Sequence, residues 1–131
     1  MKQLARTGFV TVAAVGLIAG LFYYFSPHCV SGDCVNGCGV REQRDVFRYE
    51  GCFKSGKANG KGVFISVTGD SYDGDWQSGQ RHGHGIYKYS NSTTYVGDWV
   101  ANQREGNGVL SGQNGEVLYN GSWKNDKPIR N

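Results

Sequence analysis

Four cysteines, two closely spaced histidines and a scatter of aspartates are the residues of this 131-residue chain that could do chemistry. Cys29, Cys34, Cys38 and Cys52 follow the spacing C-x4-C-x3-C-x13-C, which lacks the paired C-x2-C knuckles of a structural zinc site. An even set in so short a stretch reads as two disulfide bonds, which persist in an oxidising compartment. Cys29 and Cys34 flank a Ser-Gly-Asp turn, which favours Cys29–Cys34 with Cys38–Cys52; Cys29–Cys38 with Cys34–Cys52 stays open. His82 and His84 stand two apart and make half a metal site at most, because a closed site takes three or four ligands. Asp73, Asp75 and Asp98 take alternate positions in extended segments, the pattern of a solvated face rather than an acid–base pair. His28 has no evident acid–base partner. Gly83-x-Gly85 and its equivalents precede no helix, so they are not phosphate loops. No catalytic residue, cofactor site or metal site is expected.

The segments that carry these residues differ sharply. Gly8 to Phe25 has no charge, and as a helix it would span about 27 Å, close to the hydrocarbon thickness of a bilayer. Tyr23, Tyr24 and Phe25 end it where interfacial aromatics are expected, and Ser26-Pro27 stops the helix. Residues 1–7 then form a cytoplasmic basic stub, with Lys2 and Arg6, and residues 8–25 a signal anchor. The remainder is exported, to a periplasm or to an extracellular or lumenal space. A signal peptide cut near Ile18-Ala19-Gly20 is the rival reading. Gly16 and Gly20 are spaced as a small-xxx-small face, which points to weak helix dimerisation. Of 14 basic and 11 acidic residues, only Lys2 and Arg6 precede the apolar run, so the rest of the chain is nearly neutral. That balance argues against nucleic acid as a partner.

Beyond residue 48 the chain repeats itself. Tyr49-Glu-Gly51-Cys-Phe53, Tyr72-Asp-Gly74-Asp-Trp76, Tyr95-Val-Gly97-Asp-Trp99 and Tyr119-Asn-Gly121-Ser-Trp123 recur at intervals of 23, 23 and 24 residues. A second element, Gly60-Lys-Gly62-Val63, Gly83-His-Gly85-Ile86 and Gly106-Asn-Gly108-Val109, keeps the same register, with Gly37-Cys-Gly39-Val40 one period upstream. Alternation places Tyr, Gly and Phe or Trp of each first element on one face, and leaves over the middle glycine a gap that a ring from a neighbouring strand could fill. The same alternation puts Gly83 and Gly85 together on one face and Ile86 on the other. Ser55-Gly56, Ser78-Gly79 and Asn114-Gly115 are turn chemistry. Each unit is thus a β-hairpin, and the units must stack to bury their rings. Trp99, in an interior unit, is expected to be better buried than Trp123 in the last one.

The pattern Y-x-G-x-[FW]-x-x-G-x-x-x-G-x-G resembles the MORN (membrane occupation and recognition nexus) repeat. The resemblance implies an all-β fold, an elongated single-layer antiparallel sheet of stacked hairpins, here preceded by the transmembrane helix. The units run 49–71, 72–94, 95–118 and 119–131, the last truncated, after a cysteine-containing linker and degenerate first repeat at 26–48. It implies a non-catalytic scaffold whose partner is a protein or a lipid surface. Tyr72, Trp76, Tyr87, Tyr95, Trp99 and Trp123 form the candidate interaction face, although such rings could equally do nothing but stack. Two rival readings are a lipid-headgroup or anionic-polymer binder using Lys54, Lys57, Lys61, Arg81 and Lys88, and a cell-envelope structural or accessory subunit of an enzyme complex.

Overall fold

The structure is a computed structural model that describes residues 26–130. The expected stub at 1–7 and anchor at 8–25, with Gly16 and Gly20, lie outside the described residues. Among the described residues no helix is long and apolar enough to cross a membrane.

The described residues form one antiparallel sheet of ten strands in which spatial order follows chain order. They are β1 (His28–Gly32), β2 (Cys38–Gln43), β3 (Phe47–Lys54), β4 (Lys57–Ser66), β5 (Ser71–Gln77), β6 (Gln80–Lys88), β7 (Thr94–Val100), β8 (Gln103–Ser111), β9 (Val117–Lys124) and β10 (Lys127–Pro128). The hairpins within units close through two-residue turns between Lys54 and Lys57, Gln77 and Gln80, Val100 and Gln103, and Lys124 and Lys127. These are type I′ turns, with φ > 0 at both central residues, and their twist follows that of the strands. Ser78-Gly79 has φ of 51° and 82°, and Ala101-Asn102, without a glycine, has 47° and 70°. Each turn is tied to the preceding hairpin by its second amide, as in Gly79 N–H to Ala58 O at 2.9 Å and Asn102 N–H to Arg81 O at 3.1 Å.

One departure from simple alternation recurs in every full unit. Opposite Gly74–Asp75, β6 carries two extra residues, since Gly74 pairs with Gly85 but Asp75 pairs with His82. Gly83 lies in this bulge with φ of 60°, and a Cβ there would meet the Asp75 carboxylate at 2.9 Å. A Cβ on Gly85 would instead strike the Tyr72 ring at 2.5 Å. The expectation that Gly83 and Gly85 share a face is therefore corrected: the bulge rotates the first glycine to the aspartate side. The gap over the middle glycine is also filled differently from expectation. Tyr72 of the same strand folds over Gly74 and Gly85, and its hydroxyl donates to Asp75 O at 3.0 Å. A one-residue bulge accommodates the extra residue of the last long unit, where Leu110 pairs with Tyr119 and Ser111 with Val117.

The first hairpin, β1–β2, lacks the Tyr and Trp of the others and is held by Cys29–Cys34 and Cys38–Cys52. Cys38 and Cys52 are direct cross-strand partners, and Cys34 is 3% exposed against Tyr49 and Phe53. Cys52 occupies the place of Asp75 and Asp98, so in this unit the position cross-links backwards rather than holding the next bulge. The Cys38–Cys52 bond spans 14 residues. Replacing both cysteines with serine is expected to lower stability by about 3 kcal/mol, read from urea melts. An unchanged midpoint would show that β1–β2 docks without it.

Candidate interaction face

The aromatic face is a ladder of edge-on rings. Trp76 meets Tyr72 of its own unit at 5.1 Å and Tyr49 of the preceding unit at 5.3 Å. Trp99 meets Tyr95 and Tyr72, and Trp123 meets Tyr119 and Tyr95, with interplanar angles of 82° to 90°. The T-shaped arrangement sets the positive ring edge against the negative ring face. Each indole N–H also donates to a glycine carbonyl one unit back: Trp76 to Gly62 at 2.9 Å, Trp99 to Gly85 at 3.4 Å and Trp123 to Gly108 at 3.0 Å. Each repeat is thus joined to its neighbour by ring contacts and one directional bond on the same tryptophan.

Of the six candidate interaction residues, Tyr72 and Tyr95 are fully buried, and Trp99 and Trp123 are 2% and 3% exposed. Trp76 and Tyr87 are partly buried at the margin of this cluster. The expected difference between Trp99 and Trp123 is corrected, because Arg104, Tyr95 and Tyr119 enclose the last ring as fully as an interior one. The Arg104 guanidinium lies 4.2 Å from the Trp123 ring centre and donates to Asp126 O at 2.8 Å. Arg81 does the same over Trp99, at 4.5 Å, donating to Asn102 O at 3.0 Å. Cation–π contact and the turn carbonyl together hold each guanidinium over the indole.

Two of the three aspartates that alternation placed on a solvated face, Asp75 and Asp98, are structural. Asp75 accepts the His84 amide at 3.2 Å and Asp98 accepts the Asn107 amide at 3.0 Å, which fastens each bulge. Lys61 pairs with Asp75 at 2.7 Å and holds its carboxyl below the ordinary range. His84 Nδ1 lies 3.2 Å from Asp98 Oδ1, while the bulge separates it from His82. Among the described residues, no three His, Cys, Asp or Glu side chains converge as metal ligands do. The five basic residues do not share one surface either. Arg81 sits on the aromatic rings, Lys61 lies across the sheet with Asp75, and Lys54 and Lys57 flank a turn. The roles of Asp75, Asp98, Arg81 and Arg104 escaped the sequence reading. Gln-Arg-x-Gly at 80–83 and 103–106 was their signal, repeating in register.

Burial pushes the phenols of Tyr49 and Tyr95 up to about 12 from an ordinary value of 10.0, and Tyr72 further still. A folded value above the unfolded one stabilises the protein fully below pH 10 and ceases to do so as pH rises through 12. Absorbance titration at alkaline pH is expected to show Tyr49, Tyr72 and Tyr95 ionising only as the sheet unfolds, well above their ordinary value. A single transition near pH 10 would mean that water reaches these rings.

These features define a repeat protein in which an identical hairpin is stacked by shared aromatic and guanidinium contacts. The MORN repeat matches residues 49–71, 72–94, 95–117 and 119–128, more than half of the chain, and the chain belongs to this family. A comparison with curated proteins found no match to it.

Proposed function

We propose that this chain is a non-catalytic scaffold, tethered by residues 8–25 and displaying its MORN sheet on the exported side of a membrane. The observation that carries the location is the pair of disulfides in the first hairpin, immediately after the uncharged Gly8–Phe25 segment. Support for the scaffold role comes from the use made of the polar side chains. Asp75 and Asp98 fasten bulges, and Arg81 and Arg104 cover indoles, so the groups that chemistry would need are spent on the sheet. Its partner is a protein held on the sheet surface, with lipid-headgroup binding as the second reading.

The experiment is alkaline carbonate extraction of membranes with N-terminal sequencing, alongside a reporter fused after Asn131. Retention in the pellet with an intact N-terminus and reporter activity only outside the cytoplasm is the expected result. Exported protein beginning near Leu21 would replace the tether with a cleaved signal peptide. A cytoplasmic reporter would overturn the location.

A further inference from the structure

Among the described residues, the guanidinium cover of the aromatic ladder is missing in one place. In three of the four hairpin turns of the type described, the carbonyl of the second residue accepts from a guanidinium that lies over the ring of the same unit. At Gly56 the slot is filled by Arg41, 4.5 Å above the Phe53 ring and donating to Gly56 O at 2.7 Å. At Asn102 and Asp126 it is filled by Arg81 and Arg104. The fourth slot, between Trp76 and Gly79, has Ala58 at the position of those two arginines. The backbone there is the same, since Gly79 N–H bonds Ala58 O just as Asn102 N–H bonds Arg81 O. What differs is the missing side chain, and the aromatic core shows it. The buried rings fall into two clusters, with Phe64 and Trp76 only partly buried against both, and an open cleft of about 310 Å³ lies over Ala58, Phe64, Trp76 and Gly79.

We infer that this cleft receives the side chain of an arginine from a partner protein, laid over Trp76 and donating to the Gly79 carbonyl. The occupant is argued from the chain itself, which fills each of the three sister slots with a guanidinium. Arg41 and Lys57 line the same cleft, yet their charge does not exclude a further cation. Arg41 is engaged with the Cys34 and Gly56 carbonyls, and guanidinium groups already occupy the slots on either side, Arg41 at Gly56 and Arg81 at Asn102. A lysine would satisfy the slot less well, because only the planar guanidinium can stack and donate edge-on at once. This deepens the scaffold reading by naming the chemistry of the partner, and it rests on that reading only for there being a partner.

The test uses the full chain with its disulfides formed, in detergent micelles, titrated with the blocked tripeptides Gly-Arg-Gly, Gly-Lys-Gly and Gly-Glu-Gly. The indole N–H signals of Trp76, Trp99 and Trp123 are followed by NMR. The arginine peptide is expected to shift Trp76 alone, with half-saturation at roughly 1–10 mM for one side chain. The lysine peptide should need about ten times more, and the glutamate peptide should leave Trp76 unmoved. The Ala58→Arg variant should abolish the arginine-peptide shift by filling the slot. Equal shifts of all three indoles, a response to glutamate as large as to arginine, or undiminished binding by Ala58→Arg would overturn the assignment. The wild-type comparison of arginine with lysine decides the matter even if that variant folds poorly. None of these readings depends on the tether, so loss of the membrane assignment would leave them standing.

Discussion

Replacing Gly108 with alanine is expected to destabilise the sheet by about 3 kcal/mol or more, although the change adds one methyl group. The added Cβ would lie 2.3 Å from the Tyr95 hydroxyl and 2.5 Å from its ring carbons. Tyr95 has nowhere to retreat. Its ring is wedged between Trp99 and Trp123, and its hydroxyl is bonded to Asp98 O at 3.1 Å. Gly115→Ala is the control, because its φ of 81° is strained for alanine while its Cβ would meet nothing within 4 Å. That variant should lose only about 1–2 kcal/mol, the cost of a left-handed alanine. Chemical melts of the two variants separate close approach from backbone strain. Equal losses would show that the tyrosine can slide off its seat. Combining Gly108→Ala with Tyr95→Leu should cost less than the sum of the two, since the clash vanishes with the ring.

The second large effect is at the indoles. Trp99→Ala and Trp123→Ala should each cost about 3–5 kcal/mol, because both remove a buried ring together with its bond to a glycine carbonyl. Both also remove the nearest ring under an arginine, leaving Arg81 over Tyr72 and Tyr87 and Arg104 over Tyr95 alone. Trp76→Ala should sit at the lower end of that range, since this ring is only partly buried and carries no guanidinium among the described residues. If Trp123→Ala lost much less than Trp99→Ala, the last unit would be frayed in solution despite its cap.

The repeat makes most of the architecture legible in the sequence. Fixed spacing of Tyr, Gly and Trp specifies strands of period two, and turn residues at the same offset specify their connections. The cysteine pairing was narrowed by the turn between Cys29 and Cys34 and by the adjacency of successive strands. What spacing does not contain is the bulge. Gly83 and Gly85 are two apart in sequence, and only the two extra residues of β6 turn them to opposite faces. Nor does spacing say which ring fills which gap. The tyrosine folds over its own strand because its hydroxyl finds a carbonyl three residues on, a choice made by a hydrogen bond rather than by a pattern. Burial of Trp123 was misjudged for a related reason. One arginine and two tyrosines do not look like a neighbouring unit in sequence, yet they enclose a ring as well as one.

The strictly sequential strand order bears on how the molecule is assembled. Every pairing in the sheet joins segments adjacent along the chain, so little loop-closure entropy must be overcome before contacts reward it. Such topologies fold quickly for β proteins, and nucleation can spread from one hairpin to the next. A chain emerging N-terminus first can therefore complete each hairpin against its predecessor without waiting for the C-terminus. The two covalent links stand at the end that emerges earliest, where they fix a template on which each later tyrosine and tryptophan finds its partner already in place.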